Sequence, residues 1–249
     1  MKLTDNIYLV GGGPFSGFGL TPDADSHIYL IDGGSELALI DCGLGLDDGF
    51  AALEANIRGA GFDPADIGQA FITHYHGDHA GGAARVREAF GARAAVSADA
   101  APALSAGDEE ATGFTAAKAA GIFPQDAGLT PTPIDDALTD GDERAIGTAT
   151  IRFVATPGHC AGHGSYVLTG AGPTALLAGD AVFWAGRILL QAVPDCDLQA
   201  SNTSVQRLAG LEFEAFLPGH GAITVAGGRI HPQMAAAEVE NLAVPKGIL

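Results

Sequence analysis

The sequence predicts an α/β domain in which two β-sheets pack face to face and helices cover their outer surfaces. Three observations support this fold class: β-rich runs occur in both halves of the chain, helical stretches lie between them, and the order of elements recurs in the second half. The 249 residues can bury one sizeable hydrophobic core. We therefore predict a single domain over residues 1–249.

The first elements of the chain are β-type runs followed by a helix. Residues 6–10 predict a strand, and the glycine-rich residues 11–19 predict a loop. Residues 26–32 and 37–41 are β-rich and are separated by a Gly-Gly-Ser step, which is typical of a hairpin. Apolar positions with helical spacing then predict a helix over residues 50–59.

A polar cluster follows the next predicted strand. The strand covers residues 69–73, the sequence HYHGDH comes directly after it, and residues 80–90 have the composition of a helix. Residues 97–140 differ in character, because they carry eight acidic residues and a single cation, Lys118, among alanine-rich helical pieces. We interpret this region as an inserted helical lid, which is a natural place for substrate selection.

The β-type signal returns in the second half of the chain. Residues 150–156, 165–170, 174–180 and 213–221 each contain a strand-like run that ends near a turn. These runs complete the predicted second sheet. The pattern contains no sequence repeat of fixed period and no low-complexity linker.

The charge of the chain limits its partners. Twelve Lys and Arg against thirty Asp and Glu give a formal net charge of −18, and no basic stripe interrupts this excess. Such a surface repels a phosphate backbone, and no run reaches the roughly eighteen apolar residues that span a bilayer. We expect a cytoplasmic protein with a small-molecule substrate, no nucleic-acid partner and no membrane partner; the sequence indicates no oligomeric state.

The cysteines do not predict a disulfide framework or a thiolate metal site. Cys42, Cys160 and Cys196 are odd in number and form no CxxC pair. Small buried apolar side chains are the simplest interpretation of all three. Cys160 follows a candidate metal ligand directly, so its surroundings are of interest.

The sequence HYHGDH has the spacing of a metal site. Side chains alternate along an extended segment, so His74 and His76 point the same way and can bind one metal. Gly77 allows the chain to turn, which brings Asp78 and His79 to a neighbouring position. Four imidazole and carboxylate ligands thus come from six consecutive residues.

Three later loops offer further ligands. Each follows a strand-like run and has a glycine beside the candidate: TPGH ends in His159, AGD in Asp180 and PGH in His220. Nitrogen and carboxylate donors without thiolate suit zinc, with iron and manganese as alternatives. The sequence therefore predicts a divalent metal centre built from four separate loops.

These motifs resemble those of the metallo-β-lactamase superfamily. The segments THYHGDH, ATPGHCAGH, LLAGD and FLPGHG stand where that family has its metal motifs, and the resemblance extends from about residue 7 to residue 224. It implies the αββα sandwich fold and two metal ions. The implied ligands are His74, His76 and His159 for the first metal, Asp78, His79 and His220 for the second, and Asp180 as a bridge between both.

The resemblance also implies a hydrolytic mechanism. A hydroxide held between two metals is available near neutral pH and would attack an ester, lactone or thioester carbonyl. Asp78 and Asp180 are the expected catalytic carboxylates, with Asp78 orienting the hydroxide. The chain has no GxSxG motif that would indicate a serine nucleophile.

Details of the motifs discriminate among branches of the superfamily. The aspartate at 180 is similar to glyoxalase II, lactonase and phosphodiesterase branches, whereas true class B β-lactamases generally lack it. Acyl-homoserine lactonases commonly have a tyrosine where this chain has Phe183. Beyond His220 only Arg229 and Lys246 are basic, so the glutathione-binding pattern of glyoxalase II is not carried over. Persulfide dioxygenases share the motif set but use one iron, and they are the alternative outside the hydrolases.

Three histidines remain outside the predicted ligand set. His163, in the TPGHCAGH segment, is predicted to be a neighbour of the metals rather than a ligand. His27, before a predicted strand, is expected to line the cleft or to support a ligand. His231, near the C-terminus, is expected on the surface.

Overall fold

The computed structural model describes residues 1–14, 18–170, 172–191 and 195–247. Residues 15–17 of the predicted glycine-rich loop lie outside the described residues. In chain order the strands are β1 (Ile7–Gly11), β2 (Ile28–Asp32), β3 (Leu37–Ile40), β4 (Ile67–Phe71), β5 (Arg93–Ser97), β6 (Asp136–Leu138), β7 (Glu143–Ile146), β8 (Ala149–Ala155), β9 (Gly164–Thr169), β10 (Ala175–Gly179) and β11 (Ala215–Pro218). The α-helices are α1 (Asp47–Gly59), α2 (Gly77–Ala80), α3 (Ala83–Phe90), α4 (Ala101–Ala106), α5 (Phe114–Ala119), α6 (Leu198–Ala209) and α7 (Ile230–Glu240).

The strands form two mixed sheets. Within the described residues, the first sheet has the order β1-β2-β3-β4-β5-β6 and the second has the order β11-β10-β9-β8-β7. Strands β1, β2 and β3 pair antiparallel, which confirms the predicted hairpin, and β3 to β6 pair parallel. In the second sheet β7 to β10 pair antiparallel, while β10 and β11 pair parallel.

Alternation along the strands separates three hydrophobic cores. On β2, Tyr29 and Ile31 face the core between the sheets, where they meet side chains of β8 and β9 such as Phe153. Ile28 and Leu30 face the opposite way, into the core under α1 and α3. Because successive side chains of a strand point to opposite faces of the sheet, one regular strand supplies apolar side chains to both cores.

Helices cover the outer face of each sheet. Helix α1 buries Phe50, Leu53 and Ile57 against the first sheet, and α6 buries Val205 and Leu208 against the second. The layers are thus helix, sheet, sheet, helix, which confirms the predicted αββα sandwich. Among the residues that the structure describes, no helix combines the length and apolar character that crossing a bilayer requires.

The helix predicted over residues 80–90 is interrupted. Helix α2 ends at Ala80 and α3 begins at Ala83, so Gly81 and Gly82 lie between them. A Cβ added to Gly82 would lie 2.3 Å from the carbonyl oxygen of Cys42, which is too close for any side chain. The two glycines therefore let this segment contact the loop after β3. They also end α2 directly after the HYHGDH residues.

The region predicted as a helical lid, residues 97–140, contains a strand as well as helices. Helices α4 and α5 form its middle part, and its last residues include the strand β6 beside β5. The sequence did not indicate β5, β6 or β7 as strands. Strand β6 has only three residues and β7 carries exposed polar positions, so neither shows a clear apolar alternation.

Candidate metal centre

The predicted ligands follow the C-terminal ends of four strands. The segment between β4 and α2 carries His74 and His76, and α2 carries Asp78 and His79. The loops after β8, β10 and β11 carry the others. Loops at strand ends allow a rigid sheet to place polar groups close together. The structure brings all the predicted side chains to one place: His74, His76, Asp78, His79, His159, Asp180 and His220.

The first three histidines form a compact group. His74 Nε2 lies 3.0 Å from His76 Nδ1, and His76 Nδ1 lies 2.9 Å from His159 Nε2. Ligands about 2.1 Å from a tetrahedral zinc lie roughly 3.4 Å from one another, so only a small expansion would admit an ion. We call His74, His76 and His159 the first group.

A second group lies beside the first. His220 Nε2 is 3.2 Å from Asp78 Oδ2 and 3.3 Å from His79 Nε2, and His79 Nε2 is 3.7 Å from Asp78 Oδ2. These spacings also match the edge of a tetrahedral ligand set. Asp78, His79 and His220, here called the second group, offer two nitrogen donors and one carboxylate oxygen.

Asp180 lies between the two groups. Its Oδ2 is 3.6 Å from His159 Nε2 of the first group and 3.4 Å from His220 Nε2 of the second, and its Oδ1 is 3.4 Å from His79 Nε2. Oδ1 is buried, yet it forms no hydrogen bond with any described residue. A buried carboxylate oxygen without a hydrogen bond is costly unless a cation neutralises it, so this position fits a divalent metal ion.

The electrostatics of the centre favour cations. Burial lowers the pKa of His74 well below its ordinary value, so the ring is neutral and retains a lone pair for a metal. Burial also lowers the pKa of His220, but the carboxylates of Asp180 and Asp78 outweigh this effect and raise it to about 9. The half of the centre that contains the carboxylates therefore attracts positive charge.

Asp41 is a functional candidate that sequence reasoning missed. Its Oδ2 accepts a hydrogen bond of 2.8 Å from Nδ1 of His79, which leaves Nε2 of that ring free to face the centre. Its Oδ1 accepts from the backbone N–H of Thr73 at 2.7 Å. Asp41 has a φ of 63°, unusual for a residue other than glycine. Asp41 directly follows β3, just as the candidate ligands follow other strands. This position in the sequence could have identified it as a candidate for the site.

His163 supports the centre from behind. Its Nε2 accepts a hydrogen bond of 2.9 Å from the backbone N–H of Asp180, and its Nδ1 lies 2.9 Å from Thr156 Oγ1. Since Nε2 accepts, Nδ1 carries the proton and donates to the threonine. Both ring nitrogens are used, which agrees with the prediction that His163 is not a ligand.

Tyr75 lies beside the first group, with its ring centroid 5.7 Å from that of His76. Its hydroxyl donates a hydrogen bond to the carboxylate of Asp195. The neighbouring Cys160 is fully buried, and burial raises the pKa of its thiol well above the ordinary value. A protonated, buried thiol is a poor nucleophile. The ligand atoms of Cys160, His76 and Asp195 nevertheless lie within 4.8 Å of one another.

The region of α4 and α5 contacts the ligand loop. A Cβ added to Gly77 would lie 2.6 Å from the ring of Phe114 and 2.7 Å from that of Phe123, so both rings pack directly on this glycine. Lys118 pairs with Glu109 at 2.6 Å and ties the region together. These contacts place the region beside the centre, where it would have to lie to act as a lid.

The expectation that His231 lies on the surface is wrong. The side chain is 5% exposed, since α7 packs on the outer face of the second sheet. Its Nδ1 accepts a hydrogen bond from the backbone N–H of Ala185 at 3.1 Å, and its Nε2 lies 2.8 Å from Thr224 Oγ1. His231 thus joins three segments of the fold and takes no part in the centre.

We expect His231→Ala to reduce the free energy of unfolding by about 1–3 kcal/mol, because it leaves a cavity and unpaired polar groups. Urea unfolding measures the loss, and metal content should stay unchanged. Gln233→Ala, at an exposed position of the same helix, is the matched control and should be neutral. Loss of metal in His231→Ala would show a direct link to the centre.

The chain is similar to known proteins of one superfamily. The family model for the metallo-beta-lactamase superfamily matches residues 21–220. The hydroxyacylglutathione hydrolase of Acidiphilium cryptum is 30% identical over 199 residues, and the match covers 79% of this chain and 65% of that protein. The atrochrysone carboxyl ACP thioesterase dmxR1 of Cryptosporiopsis sp. is 25% identical over 211 residues, covering 84% of this chain and 53% of that protein.

Solved structures support the fold assignment. A metallo-beta-lactamase from Cronobacter sakazakii superposes with a TM-score of 0.73 at 24% identity, covering 97% of this chain and 96% of that one. The chain spans less than two thirds of the length of the two curated relatives named above. The fold, the arrangement of the ligand loops and the family match agree: the chain belongs to the metallo-beta-lactamase superfamily.

Proposed function

We propose that this protein is a dinuclear metal-dependent hydrolase of carboxylic thioesters and esters, including lactones. The observation that carries the proposal is the position of Asp180, whose carboxylate contacts His159 of one complete ligand group and His79 and His220 of the other. A two-metal centre requires a carboxylate in this position. A single metal would use only one of the two ligand groups.

Each part of the centre has a separate task. The first group would hold one metal, the second group the other, and Asp180 would balance the charge of both. When bound, two divalent metals supply a water of lowered pKa and polarise the carbonyl and the leaving group. Zinc is the metal that this donor set favours, with iron and manganese as alternatives.

Asp78 and His220 form the accessible face of the centre. Their side chains are each 18% exposed, whereas those of His79 and Asp180 are 0% and 4% exposed. His76 is also partly exposed, so we infer that substrate approaches over Asp78, His220 and His76. The Asp78 carboxylate would help to hold a metal and would orient the attacking water, which is the catalytic role proposed for it.

The residues after Asp180 bear on the substrate. Phe183 is buried, and its ring centroid lies 6.3 Å from that of His220. A phenylalanine has no hydroxyl to donate to a leaving group, so Phe183 could not stabilise that group by a hydrogen bond, and bound metals would supply this charge stabilisation. One similar protein is a hydroxyacylglutathione hydrolase and another is an ACP thioesterase, and the net charge of −18 disfavours highly anionic substrates. A thioester or ester with a weakly charged acyl group fits these facts best.

A matched panel of compounds tests the proposal. The zinc-loaded protein is assayed with a thioester and an oxygen ester of the same acyl group, a lactone, a phosphodiester, a β-lactam and a persulfide. We expect turnover of the first three classes at rates well above those for the phosphodiester and the β-lactam. Oxygen consumption with the persulfide, in the absence of carbonyl hydrolysis, would instead indicate a mononuclear-iron dioxygenase.

A further inference from the structure

The loops of the second group are held by the segment that leads into β2. The backbone N–H of Ser26 and its Oγ both donate to the carbonyl oxygen of Asp78, at 3.1 and 2.9 Å. The backbone N–H of His27 donates to the carbonyl oxygen of Gly219 at 2.7 Å. Two consecutive residues thus bind the backbones of both loops that supply the second group.

Tyr29 extends the same contact. Its hydroxyl donates to the carbonyl oxygen of Pro218 at 2.7 Å, and Nδ1 of His27 lies 3.1 Å from that oxygen. Since a carbonyl oxygen can only accept, Nδ1 of His27 carries the proton. Ser26, His27 and Tyr29 are all at most 2% exposed, so these hydrogen bonds do not compete with water.

The loop that supplies His159 to the first group is held from a different part of the chain. Ser204 Oγ on α6 donates to the carbonyl oxygen of Pro157 at 2.7 Å. The backbone N–H of Asp197, at the start of α6, donates to the carbonyl oxygen of Gly158 at 2.8 Å. Ser204 is 4% exposed, and this contact is the counterpart of the contact made by Ser26.

The two supports hold different backbone positions. The segment before β2 binds the carbonyl oxygens of Asp78 and Gly219, although the loop of Asp78 also carries His74 and His76 of the first group, whereas α6 binds only the loop of His159. Deleting a buried hydroxyl leaves the loop carbonyl with a weaker hydrogen-bond set, so the loop samples positions in which its ligand is misplaced. Groups behind metal ligands commonly change metal affinity by about 10- to 100-fold when they are removed. Asp180 bridges the groups, but neither support contacts it in the hydrogen bonds described above.

We propose that Ser26 and Tyr29 are positioning residues for the second metal and Ser204 is a positioning residue for the first, so that each affinity is set by a different segment. The inference rests on the two-metal centre of the proposed function. It assigns a role to the residues before and in β2, none of which is a predicted ligand.

Stepwise binding of zinc to the metal-free protein tests the inference, with a competing chelator as the reference. Reference proteins carrying His74→Ala or His220→Ala assign each step, since each lacks a ligand of only one group. In the double variant Ser26→Ala/Tyr29→Phe, we expect the step assigned to the second group to weaken by at least about tenfold and the other by less than about threefold. Ser204→Ala should show the opposite selectivity.

Thr132→Val is the control for loss of a buried hydroxyl, because Thr132 is 1% exposed and its Oγ1 donates to the carbonyl oxygen of Thr130 at 3.1 Å, outside both supported loops. It should lower thermal stability without changing the ratio of the two affinities. If the double variant does not fold, Tyr29→Phe alone is measured in the same way.

Equal weakening of both steps in the double variant, or no weakening, would overturn the inference while leaving the two-metal hydrolase standing. Binding of only one zinc ion per chain by the unmodified protein would overturn both the inference and the proposed function. Selective loss in opposite directions for the double variant and Ser204→Ala would establish that the two metals are positioned independently.

Discussion

Replacing Asp180 by Asn is expected to lower turnover by at least about two orders of magnitude and to weaken metal retention while the fold is kept. The amide has nearly the same shape as the carboxylate, so packing is preserved. It lacks the negative charge that lies 3.4–3.6 Å from His79, His159 and His220. A neutral group cannot balance two dications in a buried site.

Metal content after gel filtration and thioester turnover measure the effect of Asp180→Asn. Asp66→Asn provides the same chemical change at an exposed position outside the ligand groups, and it should leave both quantities unchanged. Full metal content and undiminished turnover in Asp180→Asn would exclude the bridging role.

Gly219→Ala is expected to disrupt the centre almost as strongly as Asp180→Asn. A Cβ on Gly219 would lie 2.2 Å from Asp180 Oδ1 and 2.7 Å from Cε1 of His79, distances that real Cβ atoms essentially never show. In Gly219→Ala either the loop that carries His220 or the bridging carboxylate must therefore move. A displacement of about 1 Å in a catalytic group can cost about 100-fold in rate. We expect a loss of this order, together with loss of one metal.

Gly221→Ala is the control for Gly219→Ala. The Cβ of residue 221 would meet nothing within 4 Å, although φ is +79°. This variant should lose about 1–2 kcal/mol of stability from backbone strain and should keep both metals. If both alanine variants lost metal equally, loop strain rather than the contact with Asp180 would be the cause.

The local pattern of the sequence was sufficient to predict which residues lie together at the centre, and it predicted the two-sheet architecture. His74 and His76 lie two residues apart in extended chain, and the glycines beside His159, Asp180 and His220 mark turns after strands. These features are local, and alternation or turn chemistry converts them directly into geometry. The structure brings all the predicted ligand residues together.

Properties that depend on distant contacts were not predictable. Asp41 supports His79, which lies 38 positions further along the chain, and nothing in its local sequence specifies that partner. His231 was expected on the surface because the sequence does not show that α7 packs on the second sheet. The break between α2 and α3 likewise depends on the close approach of Gly82 to the loop after β3.

The central claim is that two metals act in one centre bridged by Asp180. The most direct test is metal analysis of the purified protein, followed by chelation and stepwise return of zinc, with carbonyl hydrolysis measured on the same samples. We expect close to two metal ions per chain and full activity only when both are restored. A single iron per chain, with oxygen uptake from a persulfide and no hydrolysis supported by zinc, would contradict the claim.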